Sequence, residues 1–411
     1  MIALIEAQRR VSGLALRPPP SERVPLAAAI GRTLAEAPRS DRDLPPFDRV
    51  TMDGFAVRAG DVEVGRPLRV VAAIAAGEAS TATVVAGSAV RIMTGAPLPA
   101  GADAVVPIEE ADVDAGSVRF RRIPTAGQNL HRRACDLREG DRPLAAGRRI
   151  TPAMVPLLAT LGCAEVAVAR APRVALLATG SELVELTQRP QAAQIRESNR
   201  HALAAQVASA GALPLPLPIV RDDPAAIVAA VRGAAAAEVV LLTGGSSVGD
   251  FDFAHDVLAT VGATVLFDAV RIKPGKPVIL ARCGEQVLFC LPGNPVSAFV
   301  TFELLVRPLL ERLAGAAEAW PWPLALPLAR SVKAPAERDL LQIARLVPQA
   351  GGALAAEPLR SSGSGDLVTI AAAAALIHVP RGRELGAGET ARVVPLVASA
   401  DGWPRALEPI E

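Results

Sequence analysis

Three glycine-bearing loops and one lysine turn carry most of the chemistry that residue types and spacing can suggest. Thr179-Gly-Ser-Glu182, Thr243-Gly-Gly-Ser-Ser-Val-Gly-Asp250 and Leu291-Pro-Gly-Asn-Pro295 each follow an apolar strand-like run and open towards a helix. In an open parallel sheet, ligands bind beyond the carboxyl ends of the strands. Glycine lets the backbone approach a ligand there, while helix amino ends and hydroxyls hold anions. Any one of these loops alone reads equally well as an ordinary strand-to-helix turn. Three on one sheet edge, beside Lys273-Pro-Gly-Lys276, point to an anionic ligand, a phosphate ester.

Several carboxylates have no evident ion-pair partner in sequence. Asp53 stands in Met52-Asp-Gly-Phe55, Asp136 follows the basic run His131-Arg132-Arg133, and Asp250 and Asp252 flank Phe251. Asp222-Asp223-Pro224 is a good helix start that needs no further role, and Asp252 can cap the helix that follows. Acids gathered round a phosphate would suit Mg²⁺, which takes carboxylate and ligand oxygens. Neither a Walker sequence nor a dinucleotide GxGxxG is present. Gly245-Ser-Ser247-Val-Gly249 does fit the serine-hydrolase elbow, with Asp268 and His378 following in the required order. Against that reading, His378 lies beyond a Trp-Pro linker, in what reads as another domain.

Composition narrows the classes further. The chain has 411 residues, which implies two to four domains, and 51% are apolar. Lys plus Arg number 43 and Asp plus Glu 42, so bulk charge does not hold this protein on nucleic acid or an anionic membrane. The uncharged stretch His201–Val220 contains Pro214, Pro216 and Pro218 and is not a membrane span. Met1–Val11 has an early Glu6 and no apolar signal core, which predicts a cytoplasmic location. Cys135, Cys163, Cys283 and Cys290, and the four histidines, are too dispersed for a structural zinc site or a disulfide framework. Only Lys273, Lys276 and Lys333 are lysine, and only Asn129, Asn199 and Asn294 are asparagine. Where a rare type persists in an arginine-rich chain, arginine does not obviously replace it.

The elements that must position these residues follow from periodicity. Leu4, Ile5, Val11 and Leu14 share a helical face, and residues 25–37 read as a second short helix. Short Val-rich runs from about 54 to 139 predict a small β domain. Thr151-Pro152 starts a helix through Leu161. From 173 to about 314, strands alternate with helices, ending in a long helix over 295–313. That pattern indicates a mainly parallel sheet covered on both faces. Trp320-Pro-Trp-Pro323 reads as a linker, and the remainder as a small β barrel or sandwich.

Taken together, several strings resemble one family. They are Pro45-Pro-Phe-Asp48, Met52-Asp-Gly-Phe-Ala-Val-Arg58, Arg91-Ile-Met-Thr-Gly-Ala-Pro97, Gly101-Ala-Asp-Ala-Val-Val-Pro107, Gly127-Gln-Asn129, Ala178-Thr-Gly-Ser-Glu-Leu183, Ser198-Asn199, Thr243–Asp250, Lys273-Pro-Gly-Lys-Pro277 and Leu291-Pro-Gly-Asn-Pro-Val-Ser297. In order and spacing the chain is similar to the molybdopterin molybdenumtransferases, which include the C-terminal domain of gephyrin. The resemblance implies a multidomain α/β plus β chain. Residues 1–44 and 140–170 would form a helical, linking domain and 45–139 a small β domain. Residues 171–318 would form a three-layer α/β domain and 319–411 a C-terminal β barrel.

It further implies a homodimer with a shared active cleft, which inserts molybdate into adenylylated molybdopterin with Mg²⁺-dependent release of AMP. Carried over residue by residue, the acidic and hydroxyl positions are Asp53, Thr94, Asp136, Glu182, Asp222 and Asp252, with Asp53, Asp252 and Glu182 towards the metal. Substrate positions are Thr179, Thr243, Gly244, Gly245, Ser246, Ser247, Gly249, Lys273, Lys276, Pro292, Gly293, Asn294, Pro295 and Ser364. A molybdopterin adenylyltransferase and acceptor molybdoenzymes are implied as protein partners. Departures are Phe55 and Phe253 for tyrosine, Ala134-Cys135-Asp136 for Gly-Glu-Asp, His131 for arginine, and Ala269 for a basic residue. The serine-hydrolase elbow and a non-catalytic scaffold remain as alternatives.

Overall fold

The computed structural model describes residues 1–78, 81–244, 250–317, 324–349 and 352–396, with the backbone alone for Asp250–Phe253. It is a multidomain α/β protein with several sheets. Its contacts separate two units, one of Met1–Ala35, Ala146–Thr151 and Glu165 onward, the other of Glu36–Ala145 with Pro152–Ala164. Among the described residues, no helix is long and apolar enough to cross a membrane.

The second unit is built on a six-stranded sheet. Its strand order is Ala104–Pro107, Gly54–Val57, Ser88–Ile92, Leu68–Ile74, Ser117–Phe120, Ala111–Asp114. Only Leu68–Ile74 and Ser88–Ile92 run parallel. Successive strand residues face opposite sides, so Phe55 and Val57 pack with Val106 and Phe120 while Ala56 joins Val90, Ile92 and Val105. Both faces are therefore covered, and Gly54–Val57 is buried throughout. Phe55 is 1% exposed and meets Phe120 edge-on at 6.0 Å, so a core position takes the ring without its hydroxyl. At Gly54 a Cβ would lie 2.0 Å from the Val106 carbonyl oxygen, which leaves room for glycine alone.

In the first unit the strand order is Leu213–Pro216, Arg173–Ala178, Val239–Thr243, Gln286–Leu291, Ile279–Cys283, Thr264–Phe267. The first four are parallel, Ile279–Cys283 is antiparallel to its neighbours on both sides, and Thr264–Phe267 again runs with the first four, so the sheet is mainly parallel with one of the expected late strands reversed. The reason is local. Only Gly284 and Glu285 separate Ile279–Cys283 from Gln286–Leu291, and Gly284 has φ +57°, which closes a hairpin. A parallel return needs a crossover of about a dozen residues. Val174 and Leu176 face one core with Leu4, Val11, Leu203, Val207 and Val300, while Ala175 and Leu177 face another with Ile227, Val231, Val257 and Leu258.

Residues 25–37 do not form the expected helix. Ser21–Pro25 is a strand antiparallel to Glu165–Ala169, followed by one 3₁₀ turn, Leu26–Ala28, and by bridges from Thr33 to Arg149 and Leu34 to Val168. Pairing with a segment some 140 residues away overrides a short helical pattern. The helix expected over 295–313 is present as Pro295–Thr301, a π segment Phe302–Val306, and Arg307–Leu313. Pro308, which lacks an N–H, sits just beyond the π segment. Glu303 accepts from Arg307 Nε at 2.5 Å and from Gln206 Nε2 at 2.7 Å, tying this helix to Asn199–Ser209 through a buried, fully partnered carboxylate.

The C-terminal sheet has the order Ile272–Lys273, Asp339–Pro348, Ala375–Val379, Thr390–Pro395, Leu324–Pro327, with Leu354–Pro358 also on Asp339–Pro348. Lys273 pairs with Leu340, so the lysine turn belongs to the α/β sequence but is fixed by the later sheet. The Trp320–Pro323 linker lies outside the described residues.

Candidate functional site

The carboxyl ends of the parallel strands are tied to one another. Thr179 N donates to Thr243 O at 2.8 Å. Gly244 has φ +104°, and a Cβ there would lie 2.0 Å from Thr179 O, so the two loops touch backbone to backbone. Asn199 Nδ2 donates to Gly293 O at 2.7 Å, and Asp222 Oδ2 accepts from Ser181 N at 3.0 Å and from Ser181 Oγ at 3.3 Å. Thr179, Gly180, Glu182, Asp222, Thr243, Gly244, Gly293, Asn294 and Pro295 consequently line one cavity of about 430 Å³. Both oxygens of Glu182 lie 2.8 Å from where a Gly180 Cβ would be, which folds that carboxylate back over the loop.

A second cavity of about 1340 Å³ adjoins it in the same unit, since Asn294 lines both. Lys273, Lys276, Pro292 and Ser364 line it, together with Arg330, Lys333, Arg338 and Arg360. All three lysines of the chain thus meet in one hollow. Lys333 pairs with Glu384 at 3.1 Å and Arg330 with Glu357 at 2.9 Å. Among the described residues, Lys273 and Lys276 have no carboxylate partner. The serine loop is ordered by Asp366, whose carboxylate accepts from Thr369 Oγ1 at 2.7 Å and from Ser362 N at 2.9 Å. Those bonds, Thr369's hydroxyl first, hold its pKa below the ordinary carboxylate range. Ser364 O accepts from Val296 N at 3.0 Å, joining this loop to the helix at Pro295.

The four basic residues from the C-terminal segment were not singled out by sequence, apart from the rarity of Lys333. Arginine is so common in this chain that Arg330, Arg338 and Arg360 carry no compositional signal.

In the other unit, Asp53 and Thr94 meet. Asp53 Oδ1 accepts from Thr94 N and from Thr94 Oγ1, each at 2.7 Å. The backbone bond first, then the hydroxyl, lower the Asp53 pKa. Asp136 is exposed beside Cys135, whose Sγ lies 3.6 Å from Asp136 Oδ1. Gly245, Ser246, Ser247 and Gly249 lie outside the described residues, as does the Asp252 side chain. Asp252 itself falls inside the helix Asp250–Thr260 rather than at a cap.

Two expectations resolve differently. His378 Nε2 lies 3.6 Å from Asp339, and Asp268 lies 4.0 Å from His255, so the Asp268–His378 pair that a hydrolase elbow requires is not formed. Asp223 does serve as a cap, accepting from Ala226 N at 3.1 Å at the start of Pro224–Gly233. Asp223→Ala is therefore expected to lower stability by about 1 kcal/mol in denaturant unfolding, with ligand affinity unchanged.

Strand-end loops around a glycine-lined cavity, beside a basic hollow, define a class of anion-binding α/β protein. Three family models match the chain: "MoeA N-terminal region (domain I and II)" over residues 2–162, "Probable molybdopterin binding domain" over 175–312, and "MoeA C-terminal region (domain IV)" over 325–396. The chain belongs to the molybdopterin molybdenumtransferase family and is a transferase of that class. It is 37% identical over 407 residues to the molybdopterin molybdenumtransferase of Bacillus subtilis (strain 168), covering 93% of this chain and 92% of that one. It is 39% identical over 309 residues to that of Nostoc sp., covering 73% and 71%. The crystal structure of the molybdopterin biosynthesis moeA protein from Pyrococcus horikoshii OT3 superposes with a TM-score of 0.83 at 27% identity, over 96% of this chain and 100% of that chain.

Proposed function

We propose that this transferase inserts molybdate into the dithiolene of adenylylated molybdopterin and releases AMP in a Mg²⁺-dependent step, as part of molybdenum cofactor biosynthesis. The observation that carries this reading is the pair of cavities sharing Asn294. One is walled by lysine and arginine and suits a compact dianion such as molybdate. The other offers the hydroxyls of Thr179, Ser198 and Thr243, the Asn294 amide and the carboxylates of Glu182, Glu197 and Asp222, and suits the phosphate-bearing end of an adenylylated pterin. Lys273 and Lys276 contact a phosphate of the adenylylated ligand where it enters the basic hollow and leave room beside it for the oxyanion, Asn294 sits between the two cavities, and the Thr179 and Thr243 loops bind the remaining phosphate oxygens. The serine loop at Ser364 closes the basic hollow.

The donors of the smaller cavity fit Mg²⁺. Glu182 and Asp222 bring carboxylate oxygens and Thr179 and Thr243 bring hydroxyls, a hard-oxygen set without nitrogen or sulfur ligands. Glu182 would hold the ion, with Asp252 and with Asp53 from the other subunit of a homodimer. Once bound, the ion neutralises phosphate charge. Asp53, held ionised by Thr94, orients or accepts a proton, and Asp136 acts from the same unit.

Domain bounds of 1–44 with 140–170, 45–139, 171–318 and 319–411 follow the same proposal. A barrel for the last domain is supported by the Leu328–Ala356 bridge, which links the segment after Leu324–Pro327 to Leu354–Pro358. Cytoplasmic location, delivery from an adenylyltransferase and hand-over to acceptor molybdoenzymes belong to it as well.

The test is to purify the protein, identify what it carries, and assay AMP release from adenylylated molybdopterin with and without molybdate and EDTA. Bound adenylylated molybdopterin with AMP release that needs both molybdate and Mg²⁺ is expected. Ligand bound without turnover would favour the scaffold alternative.

A further inference from the structure

His131, Cys135 and Asp136 each offer one donor atom, and the three atoms lie within 4.8 Å of one another on an exposed surface. The cysteines and the histidines are each dispersed, but His131 and Cys135 stand only four residues apart with Asp136 next to them, and the fold brings the three side chains together. His131 ends the short pairing of Arg49–Val50 with Leu130–His131. Ala134 then takes φ +61°, which turns the chain sharply and presents Cys135 and Asp136 beside the imidazole. The turn is fixed on both sides: Ala134 N donates to Pro45 O at 3.0 Å, Cys135 N to Arg132 O at 3.1 Å and Asp136 N to Leu44 O at 3.0 Å.

Two of the three neighbouring guanidinium groups are already paired. Arg132 Nη1 is engaged by Asp48 at 2.6 Å and Arg133 Nε by Asp43 at 2.6 Å, so both guanidinium groups are neutralised by their own carboxylates. Arg49 Nη2 approaches His131 Nδ1 at 3.3 Å. A guanidinium only donates, so in that contact Nδ1 accepts with its lone pair; the imidazole is neutral on that side, and a metal takes the same pair only by displacing the exposed Arg49 side chain.

We propose that His131, Cys135 and Asp136 form a binding site for a single zinc-class divalent cation, with solvent completing the coordination. One nitrogen, one sulfur and one carboxylate oxygen select a borderline-soft ion over Mg²⁺ or Ca²⁺, which prefer oxygen alone. Metal–ligand lengths of about 2.0–2.3 Å put neighbouring ligands of a tetrahedral ion about 3.5 Å apart. Three exposed side chains on a fixed turn need to draw in by only about 1 Å to meet that spacing. The site shares Asp136 with the acids proposed for the reaction, and its nitrogen and sulfur donors set it apart from the oxygen-only cavity proposed for Mg²⁺.

Cobalt(II) titration of the metal-free full-length protein tests it, because a thiolate–cobalt bond gives a near-ultraviolet charge-transfer band. Saturation at one equivalent is expected, with Zn²⁺ displacing the band. Cys135→Ser should abolish it, and His131→Asn should weaken cobalt affinity about tenfold or more, since loss of a residue that only orients a ligand already costs about 10–100-fold. Cys283→Ser should leave the band unchanged. Both site variants change exposed side chains, and unfolding temperatures check that each remains folded. No band at one equivalent in the wild type, or a band retained in Cys135→Ser, overturns the proposal.

Discussion

Asp53→Ala is expected to keep the fold and to lower the rate of AMP release by about 100-fold or more, the range for a lost proton-transfer or charge-holding group. The carboxylate is exposed, and its bonds go to one residue, Thr94, through a backbone N–H and a hydroxyl that share Oδ1. Such an arrangement aims the group without burying it, so little stability rides on the side chain. Thr94→Ala removes the hydroxyl bond but keeps the backbone one, and its effect should be intermediate. Asp53→Asn preserves shape and removes charge, which separates orientation from electrostatics. Because the folded pKa lies below the unfolded one, what stabilisation Asp53 gives is present above the unfolded value and lost as pH falls through the folded value. Stopped assays of AMP with and without EDTA read the catalytic effect directly. Full activity of Asp53→Ala, or of the wild type in EDTA, would sink the metal-linked role. Mixed dimers of Asp53→Ala with Asp252→Ala sharpen the test, since a cleft shared between subunits restores activity at one composite site and an unshared cleft does not.

The parts legible in sequence were those set by local chemistry. Continuous apolar runs gave the strands Arg173–Ala178 and Val239–Thr243, and glycines at their ends marked the loops that line the smaller cavity. Asp223 was legible as a cap because Asp-Pro at a helix start has one common use. What escaped depended on distant pairing. The strand Ser21–Pro25 is made by Glu165–Ala169, and nothing within 25–37 announces that partner. The basic hollow needs Arg338 and Arg360, whose segments come to Lys273 only when Asp339–Leu340 pairs with Ile272–Lys273. His131 and Cys135 are close in sequence, four residues apart, but meet only through a left-handed Ala134, a conformation that alanine does not advertise.

Lys273→Arg and Lys276→Arg are each expected to weaken binding of the adenylylated ligand nearly as much as alanine does. The turn cannot adjust to a larger head group. Lys273 is held in register with Leu340, and Gly275, at φ +98°, is so close to Thr301 that a Cβ would lie 2.5 Å from its methyl. The backbone is thus clamped between the C-terminal sheet and the helix at Pro295, with both ammonium groups on the wall of the basic hollow. An ammonium is a compact point charge, whereas a guanidinium is a broad planar fork that needs its own space and geometry. Losing one charge-assisted contact to the bound anion should weaken affinity by about 1.5–3 kcal/mol, or roughly 10–150-fold. Lys333 is the internal comparison. Its side chain is 74% exposed and already paired with Glu384, so Lys333→Arg should change affinity by less than about 1 kcal/mol. Titration calorimetry with the AMP-bearing ligand, on all three arginine variants, measures the contrast. Wild-type affinity in Lys273→Arg and Lys276→Arg would mean that the turn is solvated surface and that the anion is held by Arg330, Arg338 and Arg360 instead.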